Sequence, residues 1–398
     1  MQKFCSHVIA GFAGASALCI VGLLTGMQSI EKLPLTYLTP EQREILSHMS
    51  IVQLKDGYGN DCKTIRFSSV NLQVVNGLES TETVNCVGNL IVGYNEVRGG
   101  DDDRTGSHTL VVGSQQNYTS YGGLLAGHTN SSLAPYATAS GGRDNVASGD
   151  YSSVAAGRYN QATGDCSAVS GGGGNVPANG NLASNTQSSV SGGLRNYARG
   201  VACSVSGGQN NIADGASSSI TGGEMNQTHP NSFFATVSGG SSNIASEGHS
   251  SISGGSGNQA LGAFSSVSGG ANNTADGRSC SVGGGRDNFA AGWYCSIVGG
   301  FGNETFGVAT DDYMTICGGQ FNEVRSPYGT VCGGESNVAM GAHSVVCGGQ
   351  GNTASGSLSA IHGGMDNSIA AGHDHATIGG GCSISTDAAC DHEHGPDL

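Results

Sequence analysis

Ser251-Ile252-Ser253-Gly254-Gly255-Ser256-Gly257-Asn258-Gln259-Ala260-Leu261-Gly262-Ala263-Phe264-Ser265 is followed at once by Ser266-Val267-Ser268-Gly269-Gly270-Ala271-Asn272-Asn273-Thr274-Ala275-Asp276-Gly277. These are one unit written twice, in phase. The Asn recurs at Asn145, Asn160, Asn175, Asn196, Asn211, Asn226, Asn243, Asn258, Asn273, Asn288, Asn303, Asn322, Asn337, Asn352 and Asn367. Eleven of the fourteen steps are fifteen residues; the steps 175→196, 226→243 and 303→322 read as one coil plus insertions of six, two and four. Asn130 extends the series backward, with Asn117 and Asn95 as looser members.

A fixed short period is the signature of stacked coils, in which each repeat pairs only with its neighbours. Six positions before the Asn stands a β-branched residue, as at Val205, Ile252, Val267, Val282, Ile297, Val331 and Val346. Such side chains suit a pleated strand with one buried face. Two positions after the Asn stands mostly Ala, with a Gly two further on where the chain must bend. The expected fold is all-β: a parallel β-roll or β-solenoid of fifteen-residue coils, about 4.8 Å apart. Roughly seventeen coils make a rod of about 80 Å. The Asn column is expected to be a structural amide ladder that satisfies backbone groups at the turns. One aliphatic residue and one Ala per coil bury little against the entropy of ordering fifteen residues. Self-association is therefore expected.

Composition narrows the alternatives. Gly supplies 69 of 398 residues, charged residues 11% and aromatics 6%. There is no Gly-X-Y period, which excludes collagen. Asp and Glu number 30 against 15 Lys and Arg, a net charge of −15 that disfavours nucleic-acid binding. Lys3 precedes an almost uncharged run from about Val8 to Gly26, which reads as a secretory signal over residues 1–29. Thirteen cysteines also fit an oxidising, extracellular setting.

The remaining organisation follows: an N-terminal α+β cap over 30–109, the roll over 110–385 and a polar tail over 386–398. In the cap, Thr39-Pro40-Glu41-Gln42 reads as a capping box opening a short helix. Strands are expected at 50–54, 63–67 and 70–75.

Repeats such as Ser251-Ile252-Ser253-Gly254-Gly255 and Ser266-Val267-Ser268-Gly269-Gly270 resemble the head repeats of YadA-like trimeric autotransporter adhesins. That resemblance covers about residues 110–385. It implies a left-handed parallel β-roll, three rolls packed side by side as a homotrimer, and attachment to surface or matrix molecules. The chain departs from it in placing Ser or Cys and Gly-Gly where the family favours an aliphatic residue and one Gly. Its final residues, Ala388 to Leu398, also show no heptads or aromatic terminus, so no transmembrane barrel is expected. The segment Gly88 to Gly93, with Asp102 to His108, resembles a group of secreted bacterial repeat proteins of unassigned function.

Chemistry-bearing residues are few. Cys317, Cys332, Cys347 and His362 share one column, five before the Asn. Four ligands in a line cannot enclose a zinc ion, so a packed thiol replacing Ser, or a disulfide between coils or chains, is expected. Cys280 and Cys295 form a similar pair eight before the Asn. His373-Asp374-His375 with His392 and His394 reads as a solvated tail, and Asp101-Asp102-Asp103 as an exposed acidic turn rather than a calcium loop. No catalytic constellation, cofactor motif or metal set stands out, and a non-enzymatic structural or adhesive role is expected. The alternative is a binding module for a repeating ligand, glycan or ice, that uses the ladder Ser189/Ser191, Ser204/Ser206, Ser251/Ser253 and Ser266/Ser268.

Overall fold

A computed structural model describes residues 38–307, 312–386, 389, 392 and 393. The signal segment, Cys5, Cys19, Cys390 and His394 lie outside the described residues. The chain divides after Gln73 into two units.

In the first unit, helix α1 spans Pro40–Ser47. Thr39 Oγ1 accepts the Gln42 N–H at 3.2 Å, and Gln42 Oε1 accepts the Thr39 N–H at 3.0 Å, so the box closes from both sides. Strands β1 (Met49–Lys55) and β2 (Asp61–Phe67) pair antiparallel from Met49↔Phe67 to Lys55↔Asp61. Asp56 turns the hairpin by accepting the N–H groups of Tyr58 and Asn60 at 2.9 and 2.8 Å. The strand expected over 70–75 does not form. Alternation alone cannot make a strand, and no ladder partner stands beside this stretch.

The second unit is an all-β parallel solenoid of about eighteen turns. It begins earlier than residue 110, because β3 (Leu90–Val92) pairs in parallel with β4 (Leu110–Ser114). It also runs past residue 385, where His392–Glu393 pairs with Thr377–Ile378. Each regular coil contributes two short strands. In the opening pair of coils, Ser251–Ile252 stacks on Ser266–Val267, and Gln259–Ala260 on Thr274–Ala275. Repeated along the chain, these contacts build two parallel sheets. A third line of single bridges, such as Ser256↔Ala271↔Arg286, runs two residues before the Asn.

Four columns point inward. The aliphatic column is at most 1% exposed from Val154 to Ile378, and the Ala column is buried with it. The Asn column and the residue eight before it, usually Ser, complete the interior. The corner after the first sheet explains one glycine of each pair. Gly255 has φ +88°, and a Cβ there would stand 2.2 Å from the Gly270 carbonyl oxygen. Only Gly fits that position.

On the outer face of the second sheet, Glu304 lies in register with Glu323. Burial, and then the Glu323 carboxylate, raise the Glu304 pKa, against the pull of Arg325. A raised acid pKa means stability is full below the unfolded-state value and is lost as pH rises through the folded one. Glu304→Gln should therefore raise stability at pH 7 by no more than a few tenths of a kcal/mol, because solvent screens this partly exposed pair, and the gain should vanish below the carboxylate range. Thermal melts at both pH values check this; an equal gain at both would assign the effect to packing.

Candidate functional site

The Asn side chains face inward, where their amides form an unbroken chain. Asn258 Oδ1 accepts the Asn273 N–H at 3.0 Å, and Asn273 Oδ1 accepts that of Asn288 at 3.1 Å. Asn273 Nδ2 donates to the Gly269 and Gly285 carbonyls, both at 3.0 Å. The same pattern passes through Asn145, Asn160, Asn211, Asn337 and Asn352 to Asn367, whose Oδ1 accepts the Ile384 N–H at 3.0 Å. All the ladder Asn residues from Asn130 to Asn367 are at most 1% exposed, so no ligand reaches them.

Two rungs differ from the spacing reading. Asn175 is not one: Asn181 stands in its place, its N–H donating to Asn160 Oδ1 at 3.1 Å and its Oδ1 accepting the Asn196 N–H at 3.0 Å. The six-residue insertion, with its 3-10 turn Pro177–Asn179, bulges before the rung rather than after it. Asn117 also yields to Gln116, whose Oε1 accepts the Asn130 N–H at 3.0 Å and whose own N–H meets Asn95 Oδ1 at 2.7 Å. A longer amide spans the same gap from one residue earlier.

The two cysteine columns occupy different environments, and every described cysteine is a free thiol. Cys280 and Cys295 are buried in the interior Ser column, with Cys203. Several hydroxyls in that column, including those of Ser152, Ser265 and Ser344, have no hydrogen-bond partner. A thiol there behaves as a small apolar group and removes an unpaired polar one. The hydrogen bond to Cys295 and burial both push the Cys280 thiol far up, and burial raises Cys203 to about 11. Neither is a poised nucleophile.

Cys317, Cys332 and Cys347 lie on the outer face of the first sheet, exposed, with His362 on the next coil. The His362 Nδ1 sits 3.4 Å from the Ile378 carbonyl oxygen. Burial, followed by the neighbouring thiol, raises the pKa of Cys317 and of Cys332.

The acidic turn is internally paired. Asp102 holds Arg104 at 2.8 Å, and Asp103 accepts the Thr105 N–H at 3.1 Å. His373 to His375 belong to a coil corner instead of a free tail: His373 Nδ1 is 2.8 Å from Thr386 Oγ1, and Asp374 accepts the Ser357 N–H at 2.8 Å. No group of three or more His, Cys, Asp or Glu converges on a point among the described residues. Among those residues, no helix is long and apolar enough to cross a membrane.

The Ser-x-Ser pairs flank the buried aliphatic residue and face outward, the first Ser half-buried and the second exposed. Ser204 Oγ meets Ser219 Oγ at 3.2 Å, and Ser281 Oγ meets Ser296 Oγ at 3.2 Å. From Thr138 to Val298 this face carries no Asp, Glu, Lys or Arg, whereas the second sheet shows Arg199, Asp214, Asp276 and Glu304.

One column went unread. Six residues after the Asn (eight at Phe234, past a two-residue insertion) the backbone is left-handed, at φ near +60°, yet several coils hold Tyr, Phe or His there. Their rings stack from coil to coil: Phe234 on His249 at 5.1 Å, His249 on Phe264 at 4.8 Å, Tyr328 on His343 at 4.6 Å. The recurrence of rings at 151, 249, 264, 294, 328 and 343 was the available signal.

No family model matches this chain, and no curated protein matches it.

Proposed function

We propose that the chain is a non-enzymatic, exported structural or adhesive protein whose rolls pack side by side, three to an assembly, through the uncharged outer face of the first sheet. The observation that carries this reading is a glycine with no reason inside its own chain. The first Gly of most Gly-Gly pairs, as at Gly192, Gly207, Gly239, Gly254 and Gly269, has an ordinary φ, and a Cβ there would meet nothing within 4 Å. Keeping Gly where Ala fits sacrifices about 0.4–1 kcal/mol per site through the unfolded chain. A repeated column of such glycines beside Ser and Thr makes sense where another backbone approaches closely. The likeness of the repeats to adhesin heads adds attachment to a surface or matrix molecule.

Native mass spectrometry of protein recovered outside the producing cell should find three copies, each lacking roughly the first 29 residues. Gly254→Ala with Gly269→Ala should leave the single roll as stable or more so, and should weaken the assembly. A monomeric wild-type protein, or an assembly indifferent to both changes, refutes the packing; a retained Met1 refutes the signal.

A second reading draws on the evenly spaced hydroxyls, which suit a periodic ligand such as glycan or ice. It requires the face to be open, so a monomer that binds such a ligand would select it.

A further inference from the structure

We propose that Cys317, Cys332 and Cys347 form a linear site for two soft univalent d¹⁰ ions, of the Cu(I) or Ag(I) class, with Cys332 bridging both. The inference does not rest on self-association, since it uses one chain and lies beyond the Ser/Thr stretch of the face. The three thiols follow Ile316, Val331 and Val346, which are register partners on consecutive coils. The Cys317 N–H donates to the Val331 carbonyl at 3.0 Å and the Cys332 N–H to the Val346 carbonyl at 2.9 Å, so the rungs are fixed. Neighbouring thiols are therefore one interstrand step apart, about 4.8 Å. They are exposed, and each is followed by two glycines, so no adjacent side chain shields them.

A line of thiols is the wrong shape for a tetrahedral ion and the right one for an ion that prefers two ligands at opposite ends. A metal–thiolate bond is about 2.3 Å long, so two end to end span about 4.6 Å, close to the coil spacing. Side chains stand nearly perpendicular to a sheet, which sets each Cβ–Sγ bond roughly at right angles to the sulfur–metal line. A disulfide fits less well. It needs Cβ atoms about 3.8 Å apart, so two hydrogen-bonded coils would have to close by roughly 1 Å. Soft thiolates also select such ions over harder ones. The balance is simple: three thiols give up three protons, two univalent ions enter, and the filled column carries one net negative charge. Burial and the neighbouring thiol keep Cys317 and Cys332 protonated, so uptake releases protons and weakens as pH falls.

Titrating the reduced full-length chain with Ag(I), which needs no redox change, tests this by stoichiometry. The other cysteines contribute equally to every variant and cancel in the differences. Cys332→Ser should bind two fewer ions than wild type, because the remaining thiols are two coils apart. Cys317→Ser and Cys347→Ser should each bind one fewer. Ser already stands at this position in seven coils before Cys317, from Ser140 to Ser268, and circular dichroism verifies that each variant folds. Equal losses of one ion from all three variants mean independent thiols and overturn the proposal, as does no loss from Cys332→Ser. Crosslinked Cys317–Cys332 or Cys332–Cys347 peptides from unreduced native protein overturn it as well.

Discussion

Asn273→Ala should destabilise the solenoid by about 3–5 kcal/mol, a loss read as a lower midpoint in thermal or denaturant unfolding. The side chain is fully buried and bonded on every side. Its removal orphans the Asn288 backbone N–H, which has Asn273 Oδ1 as its partner at 3.1 Å. It also strips a donor from the Gly269 and Gly285 carbonyls and from Asn258 Oδ1. Each buried group left unpaired costs about 1–3 kcal/mol, and no water column replaces an amide of this shape without opening the coil. Asn273→Asp sharpens the test: it keeps the acceptor but sets a carboxylate against two carbonyl oxygens, so it should be no milder than Ala. An unchanged midpoint in either variant would mean that the ladder follows the fold without supporting it.

Val267→Asp is the companion case for the aliphatic column. Val267 is 1% exposed and stacks directly between Ile252 and Val282. Across the interior stand Ala260 and Ala275, and the inward-facing columns there supply no cation to pair with the new carboxylate. Burying it unpaired costs several kcal/mol. Burial would raise its pKa above the unfolded value, so the damage should ease as pH falls through the folded-state pKa. Hydrogen exchange should show the loss centred on the coils at 252, 267 and 282, because coils contact only their neighbours. Wild-type melting at both neutral and acid pH would place this column in solvent and refute the register.

What the amino-acid order disclosed follows from which interactions repeat. The fifteen-residue period, the Val267 column and the Ala260 column are dictated by local pattern and burial, and each coil states them afresh. The capping box at Thr39 and Gln42 is local too. The misreadings sit where one coil differs from the next. Spacing alone cannot say whether six extra residues precede or follow a rung, so Asn175 looked as good as Asn181. Gln116 escaped because a ladder needs an amide at the right depth, not a particular residue. Val70 to Val75 alternates well but finds no partner. Ring stacking depended on a left-handed backbone at position +6, where propensity argues against Phe264 and Tyr328.

The equivalence of the coils makes length a free variable. A segment of fifteen residues, cut at the same column on both sides, is removed or duplicated with Val again upon Val and Asn again upon Asn. Every contact beyond the joint is unaltered. The bulge at 175–180 already shows that extra residues at a corner leave the ladder continuous from Asn160 to Asn181. Reach from one end of the roll to the other is thus adjustable in steps of one interstrand spacing, about 4.8 Å, without redesign of any interior contact. Gain or loss of a whole fifteen-residue unit would make such a step in a single event, and selection would then act on reach alone.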